Sequence, residues 1–289
     1  MVAGRSSRRR QIGLQKTPMT RYDLKKKEIG MEETAARRAA EALLNEHKNG
    51  VRFETLHPRY GLASIPDAYD VQDRYVELLR ADHGEPIGYK VGLTSPAMQT
   101  FCGIDHPIAG VVLRRRLLMS PAIVRRDGHA RLGLEFEIAV RIGSDVPATA
   151  RTAATIEPCI DGVCAAIELV DDRGADYGGL DVCSLVADNS WNGGIVVSNF
   201  ATTWPALESV LGRATQDGSP LGEGFGRDIL GHPFNSVAWL NAHLASRGGR
   251  LSKGQIVMTG SVMKTVFPTA AANYRFDLSG LGSVEVRIT

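Results

Sequence analysis

The sequence predicts an α+β protein with a large, irregular β core. Segments rich in helix-forming residues concentrate near the N-terminus, and one further helical segment precedes the last strands. The segments between them are short, apolar and interrupted by many of the 31 glycines. There is no regular alternation of strands and helices, and no Gly-x-Gly-x-x-Gly follows a strand, so a dinucleotide-binding fold is not expected.

The composition indicates a globular protein. The chain has 289 residues, of which 43% are hydrophobic, and this is enough to bury a sizeable core. The formal net charge is only +2, whereas a nucleic-acid-binding protein usually carries a stronger basic excess. No apolar run is long enough to cross a bilayer. The four cysteines form no Cys-x-x-Cys pair and are expected to be buried, reduced thiols. We therefore expect a cytoplasmic protein without nucleic-acid or membrane partners.

The first thirty residues differ from the rest of the chain. Arg8-Arg9-Arg10 and Lys25-Lys26-Lys27 make this stretch basic, and it has almost no apolar pattern. Such tails are usually solvated, so we predict that residues 1–30 form a disordered tail. A tether to nucleic acid or membrane is the alternative, and Met19 or Met31 could also be the true start.

Two helices are predicted before the β core. Residues 31–48 are rich in Ala, Glu, Leu and Arg, which are strong helix formers. A second helix begins at Ser64, where the serine can cap, Pro66 suits the first turn and Asp67 sits at the capping-box spacing. It ends before Gly84.

The strands are predicted from apolar runs and alternation. Residues 132–142 are the clearest case, because apolar residues alternate strictly with Gly, Glu, Ala and Arg. Other predicted strands are residues 89–93, 163–170, 195–198, 256–258 and 283–288, and residues 233–247 are predicted to form a helix.

Glu135 and Glu137 are the strongest chemical signal. They lie two apart on a strand, so both carboxylates point to one face with α-carbons about 6.5–7 Å apart. Two such charges repel unless something neutralises them, and Mg²⁺ or Mn²⁺ would do so with oxygen ligands. A solvent-facing strand is the alternative. Glu168 favours the metal, because an ionised carboxylate in so apolar a strand is costly without a partner.

Lys90 and two polar loops are further candidates. Lys90 sits between Tyr89 and Val91 in an apolar strand, where it either pairs with an acid or extends its ammonium group to the surface. Beside a carboxylate–metal centre it would be a natural general acid or base.

The loops carry Asp188 and Asn189, and Thr259 and Ser261. Each could bind a substrate carboxylate through backbone N–H and hydroxyl groups, or could be an ordinary tight turn.

Six segments in order resemble a known family. They are Gly88-Tyr89-Lys90-Val91-Gly92-Leu93-Thr94-Ser95, Leu134-Glu135-Phe136-Glu137, Ile167-Glu168-Leu169-Val170-Asp171, Val186-Ala187-Asp188-Asn189, Asn235-Ser236-Val237-Ala238-Trp239-Leu240 and Gly254-Gln255-Ile256-Val257-Met258-Thr259-Gly260-Ser261. Together they resemble the 2-keto-4-pentenoate hydratases and 4-oxalocrotonate decarboxylases of the fumarylacetoacetate hydrolase superfamily. The resemblance runs from about Met31 to the C-terminus.

The resemblance implies a mixed β-roll core with a small N-terminal helical region, a homo-oligomer and a Mg²⁺ or Mn²⁺ ion. It implies Glu135, Glu137 and Glu168 as metal ligands and Lys90 as the residue beside the reacting carbons. Residues 31–289 would form one catalytic domain, helical over 31–85 and a β-roll over 86–289.

The activity that the resemblance implies is that of a metal-dependent lyase. It would hydrate a 2-hydroxy-2,4-dienoate to a 4-hydroxy-2-oxo acid in aromatic catabolism, or decarboxylate a 4-oxalocrotonate-type acid. An acylpyruvate hydrolase, which would need a base such as His57, His83 or His106, and a non-catalytic binding protein are the other readings.

One position departs from the family pattern. Where the hydratases usually show Pro-Asp before an aromatic residue and Gly, this chain has Pro107-Ile108-Ala109-Gly110. Ile108 can neither accept a proton nor orient a water molecule. If it lines the substrate pocket, its apolar wall favours decarboxylation, or else Asp105 or His106 handles the water.

Overall fold

The computed structural model describes Met1 and residues 33–289. The predicted basic tail, apart from Met1, and the first residues of the predicted 31–48 helix lie outside the described residues. Within the described part, no helix is both long and apolar enough to cross a membrane. All four cysteines are free. Cys159 and Cys164 are buried as predicted, whereas the prediction is wrong for Cys102 and Cys183, which are partly exposed.

The described residues form seven helices and twelve strands. The helices are α1 (Glu33–Lys48), α2 (His57–Tyr60), α3 (Ile65–His83), α4 (Pro96–Phe101), α5 (Ala153–Ile156), α6 (Val182–Ala187) and α7 (Pro233–Ser246). The strands are β1 (Pro86–Gly92), β2 (Ile108–Leu113), β3 (Leu117–Met119), β4 (Ala122–Val124), β5 (Leu132–Ile142), β6 (Ile160–Asp171), β7 (Asn192–Val197), β8 (Leu211–Gln216), β9 (Ser219–Phe225), β10 (Ile256–Ser261), β11 (Ala272–Leu278) and β12 (Gly282–Ile288).

The two long N-terminal helices pack against each other. In α1 the buried residues Ala36, Ala39, Ala40 and Leu43 recur at helical spacing and form one apolar stripe. The start of α3 is capped as predicted, because the Ser64 side chain accepts a hydrogen bond from the backbone N–H of Asp67 at 3.3 Å.

The strands form two mixed sheets. The seven-stranded sheet has the order β2-β1-β10-β5-β6-β7-β3, and the five-stranded sheet has the order β4-β12-β11-β8-β9. Most neighbours are antiparallel, while β1–β10, β3–β7 and β4–β12 are parallel. The site strand β5 is therefore central, between β10 and β6, and not a sheet edge.

The two faces of the seven-stranded sheet differ. One face packs on the five-stranded sheet, where the rings of Phe136 and Phe276 lie 5.5 Å apart between centroids. The other face carries the glutamates. The same face also encloses a second, smaller apolar core, which reaches from Val112 on β2 to Val197 on β7. The sheet therefore curls around this core. Both faces of β5 are buried for this reason.

The predicted elements recur with shifted ends. Residues 132–142 have the predicted bounds, whereas β1 begins three residues earlier than predicted and β6 is longer at both ends. The second sheet was predicted only through its β12 strand. The helical part ends at His83 and the first strand begins at Pro86, and the division into a tail and one catalytic domain stays a prediction.

Candidate metal centre

Three glutamates converge on one face of the seven-stranded sheet. Glu135 and Glu137 lie two apart on β5 and therefore point to the same side. Glu168 on β6 is the direct cross-strand partner of Glu135. One carboxylate oxygen from each residue lies within 4.8 Å of the other two. The register of two adjacent strands thus assembles the cluster that the sequence predicted.

Each carboxylate is oriented by one neighbour. The Thr265 hydroxyl donates to Glu135 Oε1 at 2.7 Å, and the backbone N–H of Gly260 donates to Glu137 Oε2 at 2.8 Å. The Asn192 side-chain amide donates to Glu168 Oε1 at 2.9 Å.

A buried acceptor in this cluster has no hydrogen-bond donor. Glu137 is fully buried, and its Oε1 has no partner among the described residues. A buried polar atom without a partner costs about 1–3 kcal/mol, so the cluster is arranged to accept a further ligand.

Lys90 completes the cluster. It lies on β1 and is only 5% exposed, and its Nζ lies 3.3 Å from Glu168 Oε2. The pair is a buried ion pair. The ammonium group thus pairs with an acid, as one of the two sequence interpretations required, and does not extend to the surface.

The buried charges shift one another's pKa values. Burial raises the pKa of Glu137 well above its ordinary value, and the charges of Glu168 and Glu135 raise it further. Burial also raises the pKa of Glu168, to about 7, although Lys90 opposes this. Burial lowers the pKa of Lys90, but the negative charges of Glu168, Glu135 and Glu137 outweigh burial and raise this pKa above its ordinary value.

The donor set fits a hard divalent cation. Three ionised carboxylates and one ammonium leave two negative charges uncompensated, which a dication would neutralise. The three side chains offer only oxygen ligands, which Mg²⁺ and Mn²⁺ prefer. The unpartnered Glu137 Oε1 is available to coordinate it.

Gly260 is required by the close approach of its backbone to the cluster. Its φ is +112°, and a Cβ there would lie 2.3 Å from the Thr94 hydroxyl oxygen. A side chain at this position would displace the N–H that holds Glu137.

A family model for the fumarylacetoacetate hydrolase C-terminal region matches residues 105–289. The chain belongs to this family. The resemblance inferred from six short motifs is therefore confirmed, and the matched residues include all three glutamates of the cluster.

Relatives with assigned activities cover most of this family member. A 2-keto-4-pentenoate hydratase of Burkholderia vietnamiensis is 30% identical over 224 residues, which is 77% of this chain and 85% of the relative. A 2-hydroxyhexa-2,4-dienoate hydratase of Comamonas testosteroni is 27% identical over 263 residues, covering 89% of this chain and 97% of the relative.

A solved structure supports the same family assignment. The 4-oxalocrotonate decarboxylase of Pseudomonas putida G7, in complex with magnesium and adipate, matches with a TM-score of 0.85 at 26% identity. The match covers 90% of this chain and 99% of that chain. The predicted fold class is confirmed, and this family member is similar to lyases of both reaction types.

Ile108, where the family pattern has Asp, lies on the face of the cluster. It is the cross-strand partner of Gly92, and Gly92 is two residues from Lys90 on β1. A methyl group on Gly92 would lie 3.2 Å from Lys90 Nζ and 3.4 Å from Ile108 Cγ1. Ile108 is 1% exposed and places an apolar side chain beside the ammonium group.

The two polar neighbours of Ile108 lie differently. Asp105 is exposed. His106 is partly buried, its ring stacks on that of Trp239 at 6.3 Å, and its Nδ1 is hydrogen-bonded to the Pro107 carbonyl oxygen at 2.7 Å.

Asp188 and Asn189 have structural partners. Asp188 is buried, with Oδ1 2.6 Å from His47 Nε2 and Oδ2 accepting from Arg173 at 2.9 Å. The Asn189 side chain accepts from the Val111 N–H at 2.7 Å and donates to the Val111 carbonyl at 2.9 Å, as a neighbouring strand would. Neither side chain joins the glutamate cluster.

Asn189 closes the curl of the sheet at a constrained turn. It starts three consecutive residues with left-handed backbone, with φ between 49° and 58°, and the next hydroxyl, that of Ser190, donates to the Ala109 carbonyl at 3.0 Å. Each of these three left-handed backbone conformations costs about 1–3 kcal/mol. The turn that they form holds β2 against the start of β7.

Thr259 and Ser261 also use their hydroxyls internally. The Thr259 hydroxyl donates to the Ile138 carbonyl at 2.8 Å, and that of Ser261 donates to the Met263 carbonyl at 2.8 Å. The N–H of Gly260 between them reaches the cluster instead.

Sequence reasoning missed Thr265 and Asn192. Thr265 lies 130 residues from Glu135, and its segment has no apolar pattern that would place it on the site. Asn192 had a usable signal, since it lies in the polar loop of residues 188–194, but only Asp188 and Asn189 of that loop were selected.

Proposed function

We propose that the protein is a metal-dependent lyase that hydrates a 2-hydroxy-2,4-dienoate, of the 2-keto-4-pentenoate type, to a 4-hydroxy-2-oxo acid in aromatic-compound catabolism. The observation that carries the proposal is the convergence of three buried glutamates on the Lys90 ammonium group. The similarity to two hydratases over most of the chain supports this choice of reaction.

Glu135, Glu137 and Glu168 would hold Mg²⁺ or Mn²⁺. The bound ion supplies Lewis-acid stabilisation for the negative charge that develops on the 2-oxygen of the substrate. The Thr265, Gly260 and Asn192 donors keep the carboxylates oriented before any ligand arrives, so less ordering is needed when it binds.

Lys90 moves the proton. The surrounding carboxylates keep its amine protonated, so Nζ can deliver a proton to the conjugated chain of the substrate. Lys90 regains its proton from the 2-hydroxyl group of the same dienoate, which gives the α,β-unsaturated 2-oxo acid. Water then adds across the C3–C4 double bond, with its hydroxyl at C4 and its proton at C3. Its burial excludes competing water from the ammonium group.

The substrate-binding residues divide into two groups. Ile108 would line the substrate chain directly, since it faces the cluster. Asp188, Asn189, Thr259 and Ser261 would shape the pocket through the backbone segments that their side chains hold.

Decarboxylation of a 4-oxalocrotonate-type acid is the second candidate. Ile108 favours it, because an apolar wall beside Lys90 bars water from that side while loss of CO₂ needs no water. The structural similarity to a 4-oxalocrotonate decarboxylase agrees with it. Hydration then requires another polar group to reach the chain.

A carbon–carbon hydrolase and a non-catalytic protein are less well supported. Among the described residues the carboxylate cluster contains no histidine. His57 Nδ1 is hydrogen-bonded to the Leu62 carbonyl, and His83 lines a different cavity. The intact ion pair of Lys90 inside the three glutamates argues against a protein that has lost catalysis.

We further propose a cytoplasmic homo-oligomer whose partner is a small 2-oxo or 2-hydroxydienoic acid. The nearly balanced charge of the chain and the free cysteines support the location. The relatives act on small dienoates by name, which supports the ligand class.

The deciding experiment is an assay with 2-hydroxypenta-2,4-dienoate and with 4-oxalocrotonate, each with Mg²⁺ and with EDTA. We expect Mg²⁺-dependent hydration of the first substrate to exceed decarboxylation of the second. The opposite ranking would select the decarboxylase, and equal rates in EDTA would contradict both proposals.

A further inference from the structure

A cavity of about 510 Å³ lies behind the sheet that carries the glutamates. It is lined by Leu169, the neighbour of Glu168 on β6, whose side chain points to the opposite face of the strand. Helices α1 and α3 and strands β3 and β4 provide the other walls. The cavity therefore lies on the opposite face of the sheet from the three glutamates.

Two arginines in this cavity have no acidic partner. Within the described residues no carboxylate lies within 4.0 Å of the Arg115 or Arg116 guanidinium. Arg115 donates to the Asp82 backbone carbonyl at 2.9 Å, and Arg116 Nη1 donates to the Asn192 carbonyl. Burial lowers the pKa of Arg116, although a guanidinium still stays charged.

The acids that line the cavity are already engaged. Asp188 is held by His47 and Arg173, and Asp171 accepts three backbone N–H bonds. The Asp82 side chain is largely exposed, and its Oδ2 lies 3.8 Å from Lys48 Nζ.

Arg116 is partly buried and has no carboxylate within 4.0 Å among the described residues, although the charges of Asp188 and Asp171 attract it from farther away. Its charge is thus left for a ligand, because a buried charge without a close counter-ion is unfavourable. Arg115 lines the same cavity but is exposed.

Much of the remaining wall is apolar. Eight apolar or aromatic side chains line the cavity, namely Leu44, Tyr75, Leu79, Leu118, Ile123, Val124, Leu169 and Trp191. The basic side chains His47, Lys48, His83 and His129 also line it. A phosphate or sulfate ion would leave the apolar side chains exposed to water, whereas a short hydrocarbon chain would cover them.

We propose that this cavity binds a small organic carboxylate, with its carboxylate on Arg116 and Arg115 and its short apolar chain along the leucine and aromatic wall. The planar guanidinium suits a two-oxygen anion. Asn192 is shared by both sites, since its carbonyl accepts from Arg116 and its side chain donates to Glu168. The proposal does not depend on the reaction catalysed at the metal centre.

The test is calorimetry on the metal-free protein with hexanoate, acetate and inorganic phosphate as probes. Metal-free protein is used so that the probes cannot bind to a cation at the glutamates. We expect one hexanoate per chain, bound at least about tenfold more tightly than acetate because each buried methylene contributes. Acetate or phosphate binding as tightly as hexanoate, or no hexanoate binding, would overturn the proposal.

Variants locate the site. Arg116→Met should weaken hexanoate binding at least about tenfold, because a charge-assisted hydrogen bond is lost. Arg141→Met removes an exposed arginine that pairs with Asp161, and Lys90→Met removes the cation of the glutamate cluster. Both controls should bind hexanoate as the wild type does. Loss in Lys90→Met but not in Arg116→Met would place the carboxylate at the metal centre and overturn the proposal.

A further variant guards against misfolding, since Arg116 also holds the Asn192 carbonyl. Leu118→Glu keeps that bond and places a carboxylate in the cavity at a partly exposed position. It should lose hexanoate binding while its thermal unfolding stays cooperative. Wild-type affinity in a folded Leu118→Glu protein would overturn the proposal even if Arg116→Met does not fold.

Discussion

The Lys90 ammonium and the Glu168 carboxylate form a buried ion pair, with Nζ 3.3 Å from Oε2, inside a cluster that also holds Glu135 and Glu137. One cation cannot balance three carboxylates. On the proposed function, the excess of negative charge would favour binding of a dication. It also raises the pKa of Lys90, so the ammonium group would stay protonated for proton transfer.

Each glutamate of the cluster should be necessary for metal binding. Replacing Glu135, Glu137 or Glu168 by Gln removes a charge and a ligand oxygen, and should weaken Mg²⁺ binding at least about tenfold and reduce activity with it. Calorimetry and turnover are measured on the same samples. Glu223→Gln, at an exposed glutamate paired with Arg213, is the matched control. Unchanged metal affinity in all three variants would refute the site.

Lys90 should be needed for turnover but not for metal binding. In Lys90→Met the proton donor is lost, so kcat should fall by about 10²–10⁴. Mg²⁺ should bind as tightly or more tightly, because a positive charge has left the cluster. Lys253→Met, at an exposed lysine, is the control. If metal affinity falls together with kcat, Lys90 has a structural role and our assignment is wrong.

The metal-free protein should lose stability as the pH rises. Glu168 has its pKa raised to about 7 from 4.5, and that of Glu137 is also raised, so the folded state binds protons that the unfolded chain has released. Their contribution is fully present below pH 4.5 and is lost as the pH rises towards 7 and above.

Mg²⁺ should reverse this trend, because it binds the deprotonated carboxylates. The increase in melting temperature caused by Mg²⁺ should therefore grow between about pH 5 and about pH 8. Thermal unfolding with and without Mg²⁺ across this range checks the expectation, with Glu137→Gln as a variant in which the trend should be flatter. An Mg²⁺ effect that is constant with pH would contradict it.

Ile108 should control the balance between hydration and decarboxylation. Ile108→Asp introduces a carboxylate beside Lys90 that can act as a base on water, an effect often worth about 10²–10⁴ in rate. Hydration should rise relative to decarboxylation, as judged by product analysis of both reactions. Ile108→Asn introduces a side chain of about the same size as Asp but without a basic carboxylate, and it should produce a much smaller change. A product ratio that stays the same in Ile108→Asp would remove Ile108 from the mechanism.

The basic N-terminal tail should be dispensable. A chain that starts at Met31 lacks Arg8-Arg9-Arg10 and Lys25-Lys26-Lys27 but keeps every residue of the glutamate cluster and all elements from α1 onward. We expect nearly unchanged activity and melting temperature, measured beside the full-length protein. A drop of many degrees would show that the tail packs on the domain.

Local patterns in the sequence were sufficient for part of the fold. The alternation in residues 132–142 fixed the bounds of β5 and the common face of Glu135 and Glu137, because side-chain direction in a strand has a period of two. The second sheet was largely missed, since β8 and β9 carry few apolar residues, and only Gly212 and Ala214 on β8 and Gly224 on β9 are buried. Strand β11 carried a clear signal in the alternation of buried Ala272, Tyr274, Phe276 and Leu278, and it was overlooked.

The sequence by itself determined which residues form the candidate metal centre: two glutamates on one face of a strand, and Glu168 and Lys90 in apolar surroundings that require a partner. Only the tertiary structure decided what surrounds them. The register of β5 against β6 places Glu168 opposite Glu135, and the curl of the sheet brings Ile108 beside Lys90. The tertiary structure also pairs Asp188 with Arg173 and brings the Thr265 hydroxyl to Glu135. Periodicity reports the direction of a side chain along its own segment, whereas its partners come from segments far away in the chain.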